Sequence, residues 1–392
     1  MNYSWPLIND NVTVSDKLAL IKFLSEPNVR LTQGAKVEEF EAAWSKWLGT
    51  KYSVFVNSGA SANYIMTAIV RDKCGGGEII VPPLGWVSDI APVVNFGMTP
   101  VFVDVSLENL AITEQGIRNA ITDKTRAIVL VHTLGFNGIN QKIIEIAREH
   151  DLMLIEDCCE SHGATFEGKR VGTWGDMSNF SFYFGHHMTT IEGGMICTDN
   201  EELYYLAKLY RSHGMIRDSS DEVKELFARD YPTLNPLFTF AVPGFNMRGT
   251  EINAVIGLEQ LDRLDDAIKL RTENLEAWLD NLNPEYFFTD FDRVGSSNFS
   301  LPLILRDKNK ERFIDVCRTL ESHGVEYRKG TAGGGNQARQ PYLENYTHRI
   351  EGSMDNVDHV HDFGLYIGNH CEVNPDRVKE LCNILNERVS NV

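Results

Sequence analysis

A chain of 392 residues, 43% hydrophobic and 23% charged, can bury a large core and divide into more than one domain. Its formal net charge of −18 excludes a general grip on nucleic acid or on an anionic membrane, while leaving room for a phosphorylated ligand held by a few converging Arg, Lys and backbone N–H groups. Seven scattered cysteines without a Cys-x-x-Cys pair, no signal-peptide pattern and no apolar run of about 18 residues argue against disulfides, zinc and a membrane span, and fit the reducing cytoplasm.

Along the chain, helical and strand-like stretches alternate. Val37 to Leu48 has helical spacing, and Tyr52 to Val56 is a short β-rich run ending at Asn57-Ser58-Gly59. Ala60 to Val70 reads as helix and Glu78 to Val81 as a strand stopped by Pro82-Pro83. Pro100 to Val105, Arg126 to His132 and Leu152 to Glu156 are further apolar strands, with an amphipathic helix over Ile139 to His150. Short apolar strands separated by helices predict a largely parallel, buried sheet in an α/β domain reaching to residue 253. Residues 254–392 read as a smaller α+β domain: a long helix over Ala254 to Leu279, a strand over Phe299 to Leu305, and helices over Lys310 to Gly324 and Pro375 to Val389. The glycine-rich stretch Gly330 to Gly335 reads as a mobile loop or a plain connector.

Three segments carry chemistry-bearing residues. The small residues of Ser58-Gly59-Ala60-Ser61 open a helix and let backbone N–H groups approach an anion, although a simple strand-to-helix turn looks the same. Asp157 follows a buried strand, where α/β folds place ligands; it can pair with a protonated ring nitrogen or merely cap a helix. Between Ser181 and Gly194 stands the pair His186-His187, of which at most one can face a given ligand. His359 and His361 lack a third metal ligand, and no metal site is expected.

These segments, with Val81-Pro82-Pro83 and Trp86, Glu156-Asp157 and Glu160, Val171-Gly172-Thr173-Trp174-Gly175-Asp176, and Pro243-Gly244-Phe245-Asn246-Met247-Arg248, occur in the order and spacing of one family. Over essentially its whole length the chain resembles the sugar aminotransferases and dehydratases of pyridoxal-phosphate (PLP) fold type I. The resemblance implies a mixed, mostly parallel sheet flanked by helices plus a small C-terminal α+β domain. Aminotransferases of that family carry a lysine five residues after the serine and six before the glutamate of Glu-Gly-Gly. Here that position is His186, which has no primary amine to hold the cofactor covalently. A His-His pair at this place resembles the 3-dehydratases that make 3-deoxysugars, and the absence of a later Cys-x-Cys disfavours their iron–sulfur branch.

The resemblance also implies roles. His186 would be the general base working with PLP or its amino form (PMP) on a nucleotide-linked keto-sugar, with glutamate as amine donor. Asp157 would meet the pyridine nitrogen, Trp86 the ring face and Glu160 the ring 3-hydroxyl. Gly59 and Ala60, through their N–H groups, and Ser181, through its hydroxyl, would hold the phosphate. Asn246 would reach the phosphate bound by the other subunit of a homodimer. His213 and Arg217 would contact the sugar or its diphosphate.

Overall fold

A computed structural model describes residues 3–390 of the chain. Its strands, in chain order, are β1 Tyr52–Val56, β2 Glu78–Val81, β3 Thr99–Val103, β4 Thr125–Val131, β5 Met153–Asp157, β6 Thr165–Phe166, β7 Lys169–Arg170, β8 Met177–Ser181, β9 Gly194–Thr198, β10 Ser300–Ile304, β11 Tyr327–Lys329, β12 Arg349–Glu351 and β13 Gly364–Gly368. Eight of them form one sheet in the order β1-β9-β8-β5-β4-β2-β3-β12. From β8 to β12 every pairing is parallel, and β9 alone runs antiparallel to its neighbours. The expected mixed, mostly parallel sheet flanked by helices is therefore present.

Apolar runs such as Val54-Phe55-Val56 are buried on both faces because helices cover both sides. The helix Gly59–Cys74 lays Ile65, Met66 and Ile69 against Val56, Ile79 and Val81 on one face. On the other, the helix Ala35–Leu48 packs Phe40 and Trp44 against Phe55, Phe180 and Phe182. A separate antiparallel sheet, β10-β13-β11, lies in the C-terminal part, where the helices Leu264–Asn281 and Pro375–Val389 pack together. Among the described residues no helix is long and apolar enough to cross a membrane.

Three details differ from the sequence reading. The long helix expected over Ala254 to Leu279 is two helices, Glu251–Leu261 and Leu264–Asn281. Arg263 leaves helical geometry (φ −114°, ψ 7°), and its guanidinium donates to both Asp16 carboxylate oxygens and to the Asn11 carbonyl. The glycine-rich stretch is packed: Thr331 and Ala332 are buried, and a Cβ on Gly333 would fall 1.9 Å from the Gly85 carbonyl oxygen. Beside it, Gln337 N–H donates to the Pro83 carbonyl (2.7 Å) and Asn336 N–H to His361 Nδ1 (3.1 Å), so the segment braces the loop that carries Trp86. Finally, β12 returns to the large sheet, placing Arg349 opposite Val101 of β3.

Candidate active site

Strand ends bring the chemistry-bearing residues to one edge of the sheet. Asp157 ends β5, Ser181 ends β8, Asn57 and Ser58 follow β1, and Trp86 follows β2. These strands run in the same direction, so all four groups collect at their carboxyl ends, the crevice where such sheets bind ligands. Gly194 sits opposite both Val56 and Ser181, which draws β1 and β8 together across β9. A Cβ on Gly194 would fall 2.5 Å from the Ser58 carbonyl carbon, so the approach requires glycine. One turn away, a Cβ on Gly59 would fall 2.8 Å from Ser181 Cβ and 3.0 Å from Cys159 Sγ. Ser58 caps the helix by accepting from Ser61 N–H (3.0 Å), and the N–H groups of Gly59 and Ala60 are among those with no partner inside the helix. The N–H groups of Gly59 and Ala60 thus open a helix N-terminus beside Ser181, an arrangement that can accept an anion.

The end of β5 carries two buried carboxylates on opposite faces. Glu156 accepts from the N–H groups of Gly172 (2.8 Å), Trp174 (2.8 Å) and Gly175 (2.7 Å) and lies 3.2 Å from His132 Nε2. His132 Nδ1 accepts from Gly138 N–H, so the other ring nitrogen carries the proton donated to Glu156. Burial pushes the Glu156 carboxyl up, but the bonds from His132, Gly172 and Gly175 outweigh it and hold the group below its ordinary value. Cys158 brings its sulfur within 4.8 Å of His132 and Glu156 ligand atoms, a spacing a metal could use. Burial and the neighbouring carboxylates push that thiol well up, and the two other groups are already spent on the latch to residues 172–175.

Asp157 faces the crevice side. It accepts from Asn63 Nδ2 (3.0 Å), Asn179 Nδ2 (2.9 Å) and Cys159 N–H (2.9 Å). Burial raises its carboxyl, yet the bonds from Asp89, Cys159, Asn63 and Asn179 prevail and keep it below the usual carboxylate range. Asp89 goes the other way: burial first, then the charge of Asp157, push it well above its ordinary value. Of the two acids, Asp89 is the one that holds a proton more tightly. Asn63, Asp89 and Asn179 were missed by the sequence reading. Their signal was there: polar residues at positions a helix, a turn and a central strand bury.

His186 and His187 point apart. His187 is buried, its Nε2 3.1 Å from the Ser297 carbonyl and 3.2 Å from the Ser297 hydroxyl. His186 is half-buried, with Nδ1 unpartnered and its ring 5.6 Å from Phe299 and 6.2 Å from His162. Burial pushes the His186 imidazole down to about 4 against the upward pull of Asp157, with Arg271 adding to the drop. Glu160 is half-buried and accepts from Leu134 N–H (2.6 Å); burial nevertheless raises its carboxyl to about 7. Trp86 is 60% exposed.

The remaining expected residues lie on one outer strip. The segment carrying Asn246 runs beside β1, Asn57 N–H donating to the Met247 carbonyl (3.0 Å), and Asn246 pairs with Ser212 in an isolated bridge. Asn246, His213 and Arg217 are exposed, and His213 adopts a left-handed backbone (φ 63°).

Residues 18–386 match the DegT/DnrJ/EryC1/StrS aminotransferase family. The GDP-4-keto-6-deoxy-D-mannose 3-dehydratase of Yersinia pseudotuberculosis is 32% identical over 360 residues, covering 90% of this chain and 91% of its own. GDP-perosamine synthase of Caulobacter vibrioides is 35% identical over 246 residues, 62% of this chain and 61% of its own. Among solved structures, a GDP-4-keto-6-deoxymannose-3-dehydratase with a trapped PLP–glutamate geminal diamine superimposes with a TM-score of 0.87 at 31% identity, over 97% of this chain and 100% of that one.

Proposed function

Because the chain belongs to the PLP-dependent DegT/DnrJ/EryC1/StrS aminotransferase family, we propose that it is a 3-dehydratase of a nucleotide-linked 4-keto-6-deoxy sugar. The products are a 3-deoxy-4-keto sugar and ammonia, with glutamate supplying the nitrogen and leaving as 2-oxoglutarate. The observation that carries this reading is His186: the whole segment from Phe182 to Gly193 contains no lysine, and at that place stands a half-buried imidazole with a free nitrogen. The dehydratase relatives support it, and their GDP-linked substrate is the first to test.

The residues present fit the cofactor. A cradle too tight for a side chain at Gly59, an anionic buried Asp157 and an exposed indole at Trp86 are a phosphate site, a partner for a ring nitrogen and a stacking face. When bound, the amino form supplies the amine that condenses with the sugar ketone and an electron-poor ring that accepts charge. Asp157 would keep the ring nitrogen protonated, Ser181 would add its hydroxyl to the phosphate cradle, and Glu160, protonated up to about pH 7, can hydrogen-bond a ring hydroxyl. His186 stays neutral at physiological pH and is therefore ready to take a proton and release it later. His213 and Arg217 would meet the sugar diphosphate, Arg217 as a planar fork.

A second copy of the chain would complete each site through Asn246. The exposed apolar residues Leu237, Phe238 and Phe240, on the connection that leads to Asn246, offer that copy a surface. Mixing His186→Asn with Asn246→Ala chains places both defects in one site of a heterodimer and leaves the other site intact, so activity should recover.

The deciding experiment is a product screen with GDP-, CDP-, UDP- and dTDP-4-keto-6-deoxy sugars plus glutamate. Ammonia and a 3-deoxy sugar support dehydration. An amino sugar with no ammonia supports the alternative, an aminotransferase, the reading favoured by the likeness to GDP-perosamine synthase. Borohydride treatment of the loaded protein should leave the chain mass unchanged; a pyridoxyl adduct on a lysine would overturn the noncovalent reading.

A further inference from the structure

We propose that Asp89 is the positioning residue of the ring-nitrogen site, tying Asp157 through Asn63 to the turn that carries Trp86. The inference rests on the reading that Asp157 meets the cofactor ring nitrogen and Trp86 its face. Asn63 has one side-chain amide, and its nitrogen donates to two acids: Asp89 Oδ1 at 2.9 Å and Asp157 Oδ2 at 3.0 Å. The other Asp89 oxygen, Oδ2, accepts from Trp86 N–H at 3.1 Å, and Asp89 N–H donates back to the Trp86 carbonyl at 3.0 Å. Asn63, Asp89 and Asp157 are each no more than 5% exposed, so water does not compete for these bonds.

Capping alone does not account for an acid here. A serine or threonine caps a short turn without the cost of burying a carboxyl group beside a second one. The arrangement makes sense when the two acids divide one proton: Asp89 neutral, Asp157 charged, and the charge pinned on the residue that faces the crevice. Cys159, Glu160 and Tyr342 are the other titratable groups that feel Asp89 or act on it; burial raises all three, which keeps Cys159 and Tyr342 uncharged near neutral pH and lets Glu160, raised to about 7, carry a partial charge that pushes Asp89 further up. A stacking ring and a ring-nitrogen partner from distant parts of the chain are thereby held in fixed relation by a bridge of three buried side chains.

The test is titration of PLP into the cofactor-freed chain, followed by absorbance, with thermal unfolding of each cofactor-free variant as the control for folding. Asp89→Ala should weaken PLP binding by about tenfold or more, the scale of one lost charge-assisted hydrogen bond. It should also move the pH at which the absorbance of the bound ring changes. Asp89→Asn keeps one acceptor oxygen, but its NH2 must face either the Asn63 amide or Trp86 N–H, so its affinity and absorbance profile should fall between those of Asp89→Ala and the parent. Asn63→Ala leaves Asp89 on its turn but cuts the bridge, and should behave like Asp89→Ala; it serves if that variant fails to fold. Parent-like affinity and spectrum in Asp89→Ala or Asn63→Ala would overturn the proposal, as would an Asp89→Asn variant as weak as Asp89→Ala. Asp157→Asn separates the two layers. If it binds PLP as the parent does, the reading of the cofactor site fails and this inference with it; if it alone is weakened, only the role of Asp89 falls.

Discussion

Glu156 and Asp157 are neighbours at the end of β5, both buried and both held below the ordinary carboxylate value, yet they serve opposite faces of the sheet. Glu156 is surrounded by fixed donors, three backbone N–H groups and His132, and closes the loop of residues 172–175 onto the core. Asp157 takes two of its bonds from side-chain amides, Asn63 and Asn179, and stands at the crevice. His186 and His187 repeat the division: one ring is tied to Ser297, the other keeps a nitrogen free. Adjacent residues on one backbone can thus differ, one tied into the fold and the other left at the crevice or with a free nitrogen, because an extended or turning chain sends successive side chains to different environments.

The sharpest way to break this comparison is to remove each acid. Glu156→Ala leaves three N–H groups and an imidazole unpartnered inside the protein, and should cost about 3–5 kcal/mol in urea denaturation of the cofactor-free chain. Asp157→Asn should leave stability within about 1 kcal/mol of the parent while ammonia release falls by ~10²–10³, the scale of losing one preorganised electrostatic contact. Similar stability losses from both would erase the distinction. Next comes His186→Asn, expected to keep the cofactor and lose ~10² in ammonia release, with His187→Asn losing less activity and more stability. Equal activity of His186→Asn and the parent would remove His186 from the chemistry.

A smaller effect sharpens the pair further. An unfolded imidazole titrates near 6.5, whereas His186 in the fold titrates near 4. Between those values the unfolded chain binds the extra proton, so His186 costs stability progressively as pH falls from about 6.5 to about 4, by about 1–3 kcal/mol in total. Denaturation midpoints of the cofactor-free parent should therefore decline relative to His186→Asn across that window and run parallel above pH 7. Parallel curves throughout would mean that the ring is solvated.

What the sequence made legible was local. Strand ends announce themselves through turn residues such as Asn57-Ser58-Gly59 and Pro82-Pro83, and His186 is located by counting from Ser181 and Glu192. The bridge through Asn63 was not legible, because its partners lie 26 and 94 residues away and no periodicity links them. The break at Arg263 is likewise set by Asp16, 247 residues earlier, against a local pattern that favours one long helix. Residues 330–335 look mobile by composition, but the missing Cβ at Gly333 permits close packing against Gly85. A strand as short as Arg349–Glu351 carries too few residues to show alternation at all.

That last strand orders events during synthesis. β3 leaves the ribosome long before β12, and until residues 349–351 emerge its outer edge is a row of unpaired N–H and C=O groups. Arg349 then closes the edge from both sides, reaching Glu78 at 3.1 Å and the Ala120 carbonyl while β12 pairs with β3. The nascent chain must therefore survive translation of the 245 residues between β3 and β12 with an adhesive flank, a window in which neighbouring chains on one polysome compete for the place that β12 later takes.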